Sequence, residues 1–133
     1  MKILITGITG LIGNHLMQVL LQHGYHNIRG NYFSNRNLDE YTTKNIEMIQ
    51  ADVADEKAIQ HLTNDCDIVV HTAARVIDFG TKKQFYEAHY DATHFLLKDA
   101  KANSVRHFIY VSSVGVASGI DRNKSFRMKR HRL

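Results

Sequence analysis

The sequence predicts a single doubly wound α/β domain, and three observations carry that prediction. The chain has 133 residues, enough for one hydrophobic core and too few for two. Its composition is that of an ordinary globular protein, with 44% apolar and 23% charged residues. Short runs rich in Ile, Val, Tyr and Phe alternate along it with apolar stripes at helical spacing. Strand, helix, strand in succession gives right-handed crossovers and a parallel sheet with helices on both faces.

Five strands are expected, at Lys2 to Thr6, Asn27 to Tyr32, Ile46 to Ala51, Asp67 to His71 and His107 to Ser112. Between the first two, Leu11, Ile12, Leu16, Val19 and Leu20 form a helical stripe that stops at His23-Gly24. The polar segment from Ser34 to Asn45 reads as a loop with at most a turn or two of helix. A second helix is expected from about Asp55, with Ala58, Ile59 and Leu62 on one face. A long third one is expected from Lys82 to Ala102, with Phe85, Ala88, Ala92, Phe95 and Leu96 facing inward.

Charge and composition exclude several function classes. Residues 1 to 120 hold eleven Lys/Arg against twelve Asp/Glu, whereas residues 121 to 133 hold six against one. The basic excess lies entirely in the tail. A body without positive excess gives a nucleic-acid backbone no surface to follow, so nucleic-acid binding is disfavoured. No apolar run approaches the roughly 18 residues of a membrane span, and no secretory signal opens the sequence, so a cytoplasmic address is expected. The single cysteine, Cys66, rules out an internal disulfide and a thiolate zinc cage, and Asp65 and Asp67 beside it argue against a nucleophilic role. Nine histidines are present, but the spacings of His23/His26 and His89/His94 match no metal-ligand frame, and no metal site is expected.

The chemistry concentrates where the first strand ends, at Thr6-Gly7-Ile8-Thr9-Gly10-Leu11-Ile12-Gly13. Glycines three apart at a strand-to-helix junction allow a tight turn, a close backbone approach to a pyrophosphate and close packing of helix on strand. The helix N-terminus then meets the phosphate with unpaired N–H groups. A P-loop is excluded because no Gly-Lys pair follows, and a glycine-rich turn serving packing alone is the competing reading.

With these residues in view, the sequence resembles the extended short-chain dehydrogenase/reductases, also called the NAD-dependent epimerase/dehydratase family. Thr6 to Gly13 match that family's T-G-x-x-G-x-x-G loop at every fixed position. The resemblance implies a Rossmann fold with strand order 3-2-1-4-5 and a nicotinamide cofactor, NAD or NADP, held by Thr6, Gly7, Thr9, Gly10, Leu11, Ile12 and Gly13. Asp52-Val53 resemble the pair that contacts adenine. His71-Thr72-Ala73-Ala74 resembles the H-x-A-A segment, so that Thr72, Ala73 and Ala74 would run beside the nicotinamide ribose. Phe108 to Ser113 resembles the fifth strand that ends in the catalytic serine, here Ser113. The stretch Val69 to Gly80 is most similar to the 3β-hydroxysteroid dehydrogenase branch, which suggests a sterol-like or other bulky hydroxyl substrate. Dihydroflavonol reductase-like enzymes and nucleotide-sugar epimerases share the same half. Full-length members leave room for a homodimer.

Cofactor choice is read after the second strand, where an acidic residue would hold a ribose 2′-hydroxyl and a basic one a 2′-phosphate. Ser34, Asn35 and Arg36 would suit a phosphate, while the subfamily resemblance favours NAD. The resemblance covers residues 1 to about 119, set apart from a basic, irregular tail at 120–133. His89 stands where the family usually has asparagine. None of the six tyrosines is followed four places on by lysine, so the family's Tyr-x-x-x-Lys acid–base pair is missing. The expectation is a truncated or frameshifted member: the NAD(P)-binding portion of a dehydrogenase or epimerase acting on a hydroxyl or carbonyl substrate. A non-catalytic dinucleotide-binding module and an inactive fragment are the alternatives.

Overall fold

In the computed structural model, residues 1–34, 38–75 and 80–113 are described. Five parallel strands form one sheet in the order β3-β2-β1-β4-β5, with β1 at Ile3–Thr6, β2 at Ile28–Tyr32, β3 at Glu47–Gln50, β4 at Ile68–His71 and β5 at His107–Tyr110. The registers Ile3↔Ile28, Ile3↔Ile68, Arg29↔Glu47 and Ile68↔His107 align the carboxyl ends of the strands along one rim. The expected architecture and strand order are those observed.

Alternation along β1 builds two cores. Ile3 and Ile5 point to one face and join Ile8, Met17, Ile28, Tyr41, Ile46 and Val70. Leu4 points to the other and joins Ile59, Leu62, Val69, Leu96 and Ala100. A strand covered on both faces carries an unbroken apolar run, which is why Ile3-Leu4-Ile5 shows no polar alternation.

Helix α1, Leu11–Gln22, covers the first face. It ends in a Schellman motif: Gly24 sits at φ +81°, its N–H donates to Leu21 O at 3.0 Å, and the Tyr25 N–H donates to Leu20 O at 2.9 Å. The expected stripe is corrected at its start. Leu11 is 90% exposed and Ile12 53%, because the first turn stands clear of the sheet at its rim, and Gly13 and Met17 take the buried positions. Helix α2, Asp39–Thr43, is the short helix allowed for in the polar segment.

The helix expected from Asp55 forms only as consecutive turns, with no regular α-helix between residues 53 and 66. The reason lies in its neighbours. Asp99 accepts the N–H groups of His61 at 3.1 Å and Thr63 at 2.9 Å, and the Thr63 hydroxyl at 2.7 Å. Those amides are withdrawn from an i→i−4 ladder, and His61 turns to φ +70°. Ile59 and Leu62 still reach the core, but Ala58 is exposed.

The long third helix is interrupted. It runs as α3, Lys82–Tyr86, a π-helical segment at Glu87–Asp91, and α4, Ala92–Ala102. A capping box between Thr81 and Gln84 starts it. Ala92 and Leu96 are fully buried, and Phe95 beside them in α4 is half-buried; Phe85 and Ala88 are half-buried too, because the wide π turn shifts the residues at and before it partly out of the helix–sheet interface. Strand β5 is shorter than expected, stopping at Tyr110, although the Val111 N–H still donates to His71 O at 3.0 Å. Among the described residues, no helix is long and apolar enough to cross a membrane.

Candidate functional site

The rim at the carboxyl ends of β1, β2 and β4 opens into a groove of about 510 Å³. Its floor is the turn from Gly7 to Gly13, its far wall Thr72, Ala73 and Ala74, and its near wall Phe33 and Ser34. In order-reversing parallel sheets the crevice beside the first strand lies at this point.

Two glycines make the floor possible. Gly7 sits at φ +67°, and a Cβ there would come within 2.8 Å of Ala73 Cα, so the turn and the far wall touch backbone to backbone. A Cβ at Gly13 would lie 2.5 Å from Gly7 O and 2.8 Å from Ile8 Cα, which shows how closely α1 is pressed onto the turn. The Gly10 N–H donates to Gly7 O at 2.9 Å and the Ile8 N–H to Asn31 O at 3.1 Å. Gly10 caps α1 without a side-chain hydrogen bond, and the first turn of α1 holds no acidic residue. The positive end of a twelve-residue helix therefore faces the groove with nothing of opposite charge on it.

Behind the floor, side chains hold the two walls in register. Thr6 is wholly buried; its carbonyl accepts the Thr72 hydroxyl at 2.7 Å, and its own hydroxyl lies 2.7 Å from His71 Nδ1 and 3.4 Å from the Ala73 nitrogen. Thr6 thus ties the far wall to β1 and does not line the groove. The Thr6 hydroxyl can accept from both the Ala73 N–H and Nδ1–H or donate to Nδ1, so the imidazole tautomer sets the direction of the Thr6–His71 bond. Burial pushes the His71 pKa down to about 4, with the nearby His89 adding to the effect. His71 is therefore neutral at ordinary pH, and its Nε2 is buried without a hydrogen-bond partner.

Tyr41 is a site-supporting residue that the sequence reading missed. Its hydroxyl accepts from Asn14 Nδ2 at 2.9 Å and approaches Ile8 O at 3.5 Å, which props the turn from behind. A lone tyrosine in a polar stretch was the available signal. Phe33, 68% exposed on the near wall, was also passed over; its exposure depends on the end of β2 meeting the groove.

The remaining candidates lie around the rim. Asp52 and Val53 follow β3 outside the groove lining, and Asp52 Oδ1 accepts the Ala54 N–H at 2.9 Å, leaving the carboxylate exposed. Ser113 is exposed just beyond β5. His89 is half-buried in the π segment, its ring parallel to Phe85 at 6.3 Å. Arg36, Asn35 and the residues from 114 onward, which include the basic tail, lie outside the described residues. The Cys66 thiol is pushed up chiefly by burial, with the neighbouring Asp65 only a lesser contributor. Among the described residues, no group of three His, Cys, Asp or Glu side chains is placed to hold a metal ion.

The model of the 3-beta hydroxysteroid dehydrogenase/isomerase family matches residues 4–129. The chain belongs to that family. The match runs past the boundary drawn after residue 119, and it places this 3-beta hydroxysteroid dehydrogenase/isomerase family member among the extended short-chain dehydrogenase/reductases, as the glycine turn and the H-x-A-A segment imply. Curated relatives include the 2-alkyl-3-oxoalkanoate reductase of Stenotrophomonas maltophilia, 26% identical over 87% of this chain and 34% of its own length. The UDP-glucose 4-epimerase of Mus musculus is 28% identical over 86% of this chain and 38% of its own. The sterol-4-alpha-carboxylate 3-dehydrogenase, decarboxylating, of Dictyostelium discoideum is 26% identical over 86% and 36%. This family member therefore spans little more than a third of the length of those relatives. Two solved structures share the fold. A short-chain dehydrogenase/reductase superfamily protein from Agrobacterium tumefaciens aligns with a TM-score of 0.75 and 23% identity over 89% of this chain and 34% of that one. Yeast methylglyoxal/isovaleraldehyde reductase aligns at 0.75 and 24% over 86% and 37%.

Proposed function

We propose that this chain binds a nicotinamide dinucleotide along the Gly7–Ala74 groove, as the cofactor-holding portion of a dehydrogenase or epimerase acting on a hydroxyl or carbonyl carbon. The observation that carries this reading is the groove itself, whose floor is bare backbone at the uncapped positive end of α1. A pyrophosphate fits such a floor without any Lys or Arg. In this reading Gly7, Thr9, Gly10, Leu11, Ile12 and Gly13 hold the pyrophosphate, and Thr6 positions the wall formed by Thr72, Ala73 and Ala74 beside the nicotinamide ribose. Asp52 and Val53 meet the adenine, Ser34 and Arg36 the adenosine ribose, and Ser113 orients the substrate oxygen. When bound, the cofactor supplies hydride exchange at the substrate carbon. The Agrobacterium structure holds NAD and the yeast reductase NADPH, and Ser34 is the described residue of this chain nearest that choice.

For the substrate, we propose a 3-oxo or 3-hydroxy carboxylate with a bulky apolar body. Two relatives are named for such compounds, one a 2-alkyl-3-oxoalkanoate and the other a sterol 4-carboxylate that reacts at carbon 3. A second reading is a dinucleotide-binding module without turnover, for which the groove is by itself sufficient.

The test is a fluorescence titration of the chain with NADH and NADPH, repeated with Gly10→Asp. A Cβ at Gly10 meets only Gly7 O, at 3.1 Å, so the substitution asks that carbonyl to give by a few tenths of an ångström, and aspartate is a good N-cap. Its carboxylate takes the place offered to phosphate. The expected result is a melting temperature kept or raised with dinucleotide affinity lost at least tenfold; equal affinity in the variant would sink the assignment. Turnover of a panel of hydroxy acids and alcohols separates the enzyme from the silent module.

A further inference from the structure

The end of β2 places an aromatic ring where a dinucleotide groove ordinarily has a charge. In doubly wound sheets an acidic residue about twenty positions past the glycine turn holds a ribose 2′-hydroxyl. Here Phe33 stands twenty residues beyond Gly13, and its side chain is 68% exposed on the near wall of the groove. A lone apolar side chain in solvent needs no explanation. This one lines a cavity of about 510 Å³ in which no described lining residue is charged, and among the described residues it belongs to neither hydrophobic core.

The ring is held in place through its main chain. The Asn31 carbonyl accepts the Ile8 N–H at 3.1 Å, and the buried Asn31 side chain donates to Ala51 O at 2.9 Å. One residue thereby locks the glycine turn, β2 and the end of β3 together. The Ala51 N–H donates to Tyr32 O at 3.0 Å and Gln50 Nε2 to Phe33 O at 3.3 Å, which fixes Phe33 relative to the groove floor and leaves its ring to the groove. Asp52, two residues beyond Gln50 at the neighbouring strand end, keeps an exposed carboxylate. A flat apolar face, with a hydrogen-bond acceptor on the next strand end, suits a heteroaromatic base that carries an amino group.

We infer that Phe33 is the residue on which the dinucleotide's adenine stacks, so that the groove grips the adenosine end by an aromatic face and leaves the ribose 2′ position unread at the place where a carboxylate would read it. This rests on the cofactor reading proposed above and deepens it, because it gives the hold on the base to one side chain. Stacking responds to the base and is indifferent to what the 2′ oxygen carries. Removal of the ring therefore weakens NADH and NADPH by the same factor, whereas a side chain that reads the 2′ position would change their ratio.

The experiment is isothermal calorimetry on the full chain with NADH and NADPH, comparing wild type, Phe33→Ala and Phe33→Trp, with the thermal melt of each as the folding control. Phe33→Ala should weaken both dinucleotides about tenfold, keep their ratio, and leave the melting temperature unchanged because the ring is exposed. Phe33→Trp should bind both at least as tightly as wild type. The chain contains no tryptophan, so that variant also carries a single indole, whose emission should be quenched saturably by AMP and left unchanged by ribose 5-phosphate, which has no base. Unchanged NADH affinity in Phe33→Ala overturns the inference. So does a shifted NADH-to-NADPH ratio, a fall in melting temperature that accompanies the lost affinity, or an equal response of the indole to AMP and ribose 5-phosphate. Failure of the cofactor reading is seen separately, as wild type that binds neither dinucleotide, and the inference then falls with it.

Discussion

Replacing Gly13 by alanine tests how the phosphate turn is built. Gly13 lies inside α1 with ordinary helical geometry, so the substitution gains about 1 kcal/mol of helix propensity. Against this, the new methyl would sit 2.5 Å from Gly7 O, 2.8 Å from Ile8 Cα and 3.0 Å from Gly7 C. All three are backbone atoms, which cannot swing aside as a side-chain tip would. Reaching an ordinary contact of 3.4 Å requires α1 to lift by roughly 0.9 Å. Overpacking of this kind costs about 3 kcal/mol at the upper end of its usual range, so the net loss is about 2 kcal/mol. For a chain of this size that is a fall in Tm of roughly 6–10 °C, measured by calorimetry or circular dichroism. NADH affinity should weaken with it. Gly24→Ala is the control: Gly24 sits at φ +81° with nothing within 4 Å of a Cβ, so it should cost about 1 kcal/mol through backbone strain alone and leave NADH affinity unchanged. A Gly13→Ala chain that melts at or above wild type would refute the account of α1 pressed against the turn.

The His71 pKa of about 4 lies below the usual 6.5, so the unfolded chain binds a proton between these values that the folded chain refuses. Stability should be level above pH 6.5 and fall by about 3 kcal/mol as the pH drops towards 4. His71→Asn should flatten that slope in urea melts taken across the window; an unchanged slope would place the titration elsewhere. Arg29 is 6% exposed and donates to Leu62 O and Asn64 O at 2.8 Å while pairing with Glu47 at 2.9 Å. Arg29→Met should cost about 3 kcal/mol, because it leaves the Leu62 and Asn64 carbonyls without their donor, and should open residues 56–66 to hydrogen exchange first, whereas uniform exchange along the chain would count against the clamp.

Much of the site was legible in the sequence because its chemistry is local. A glycine turn between a strand and a helix encodes its own geometry, and Gly7, Gly10 and Gly13 lie on the groove floor where their spacing puts them. Thr72, Ala73 and Ala74 reach the opposite wall because β4 pairs with β1 in register, Thr6 against His71. The supporting layer was not legible. Tyr41 props the turn from a segment that reads as polar loop, and the buried Thr6–His71 contact joins residues 65 apart.

The sequence by itself determined the strands, the glycine turn and the parallel α/β class, because periodicity and short motifs are properties of neighbouring residues, and the strand order came with the family resemblance that those motifs carry. Tertiary structure decided what neighbours cannot. Asp99 draws the amides of His61 and Thr63 out of the expected second helix, and the π segment at Glu87–Asp91 breaks the third. At the rim, Leu11 is left in solvent beside the groove. In the Asp99 case a partner distant in the chain outweighs local propensity, since a buried or shared hydrogen bond exceeds the few tenths of a kcal/mol by which one residue prefers one backbone state to another.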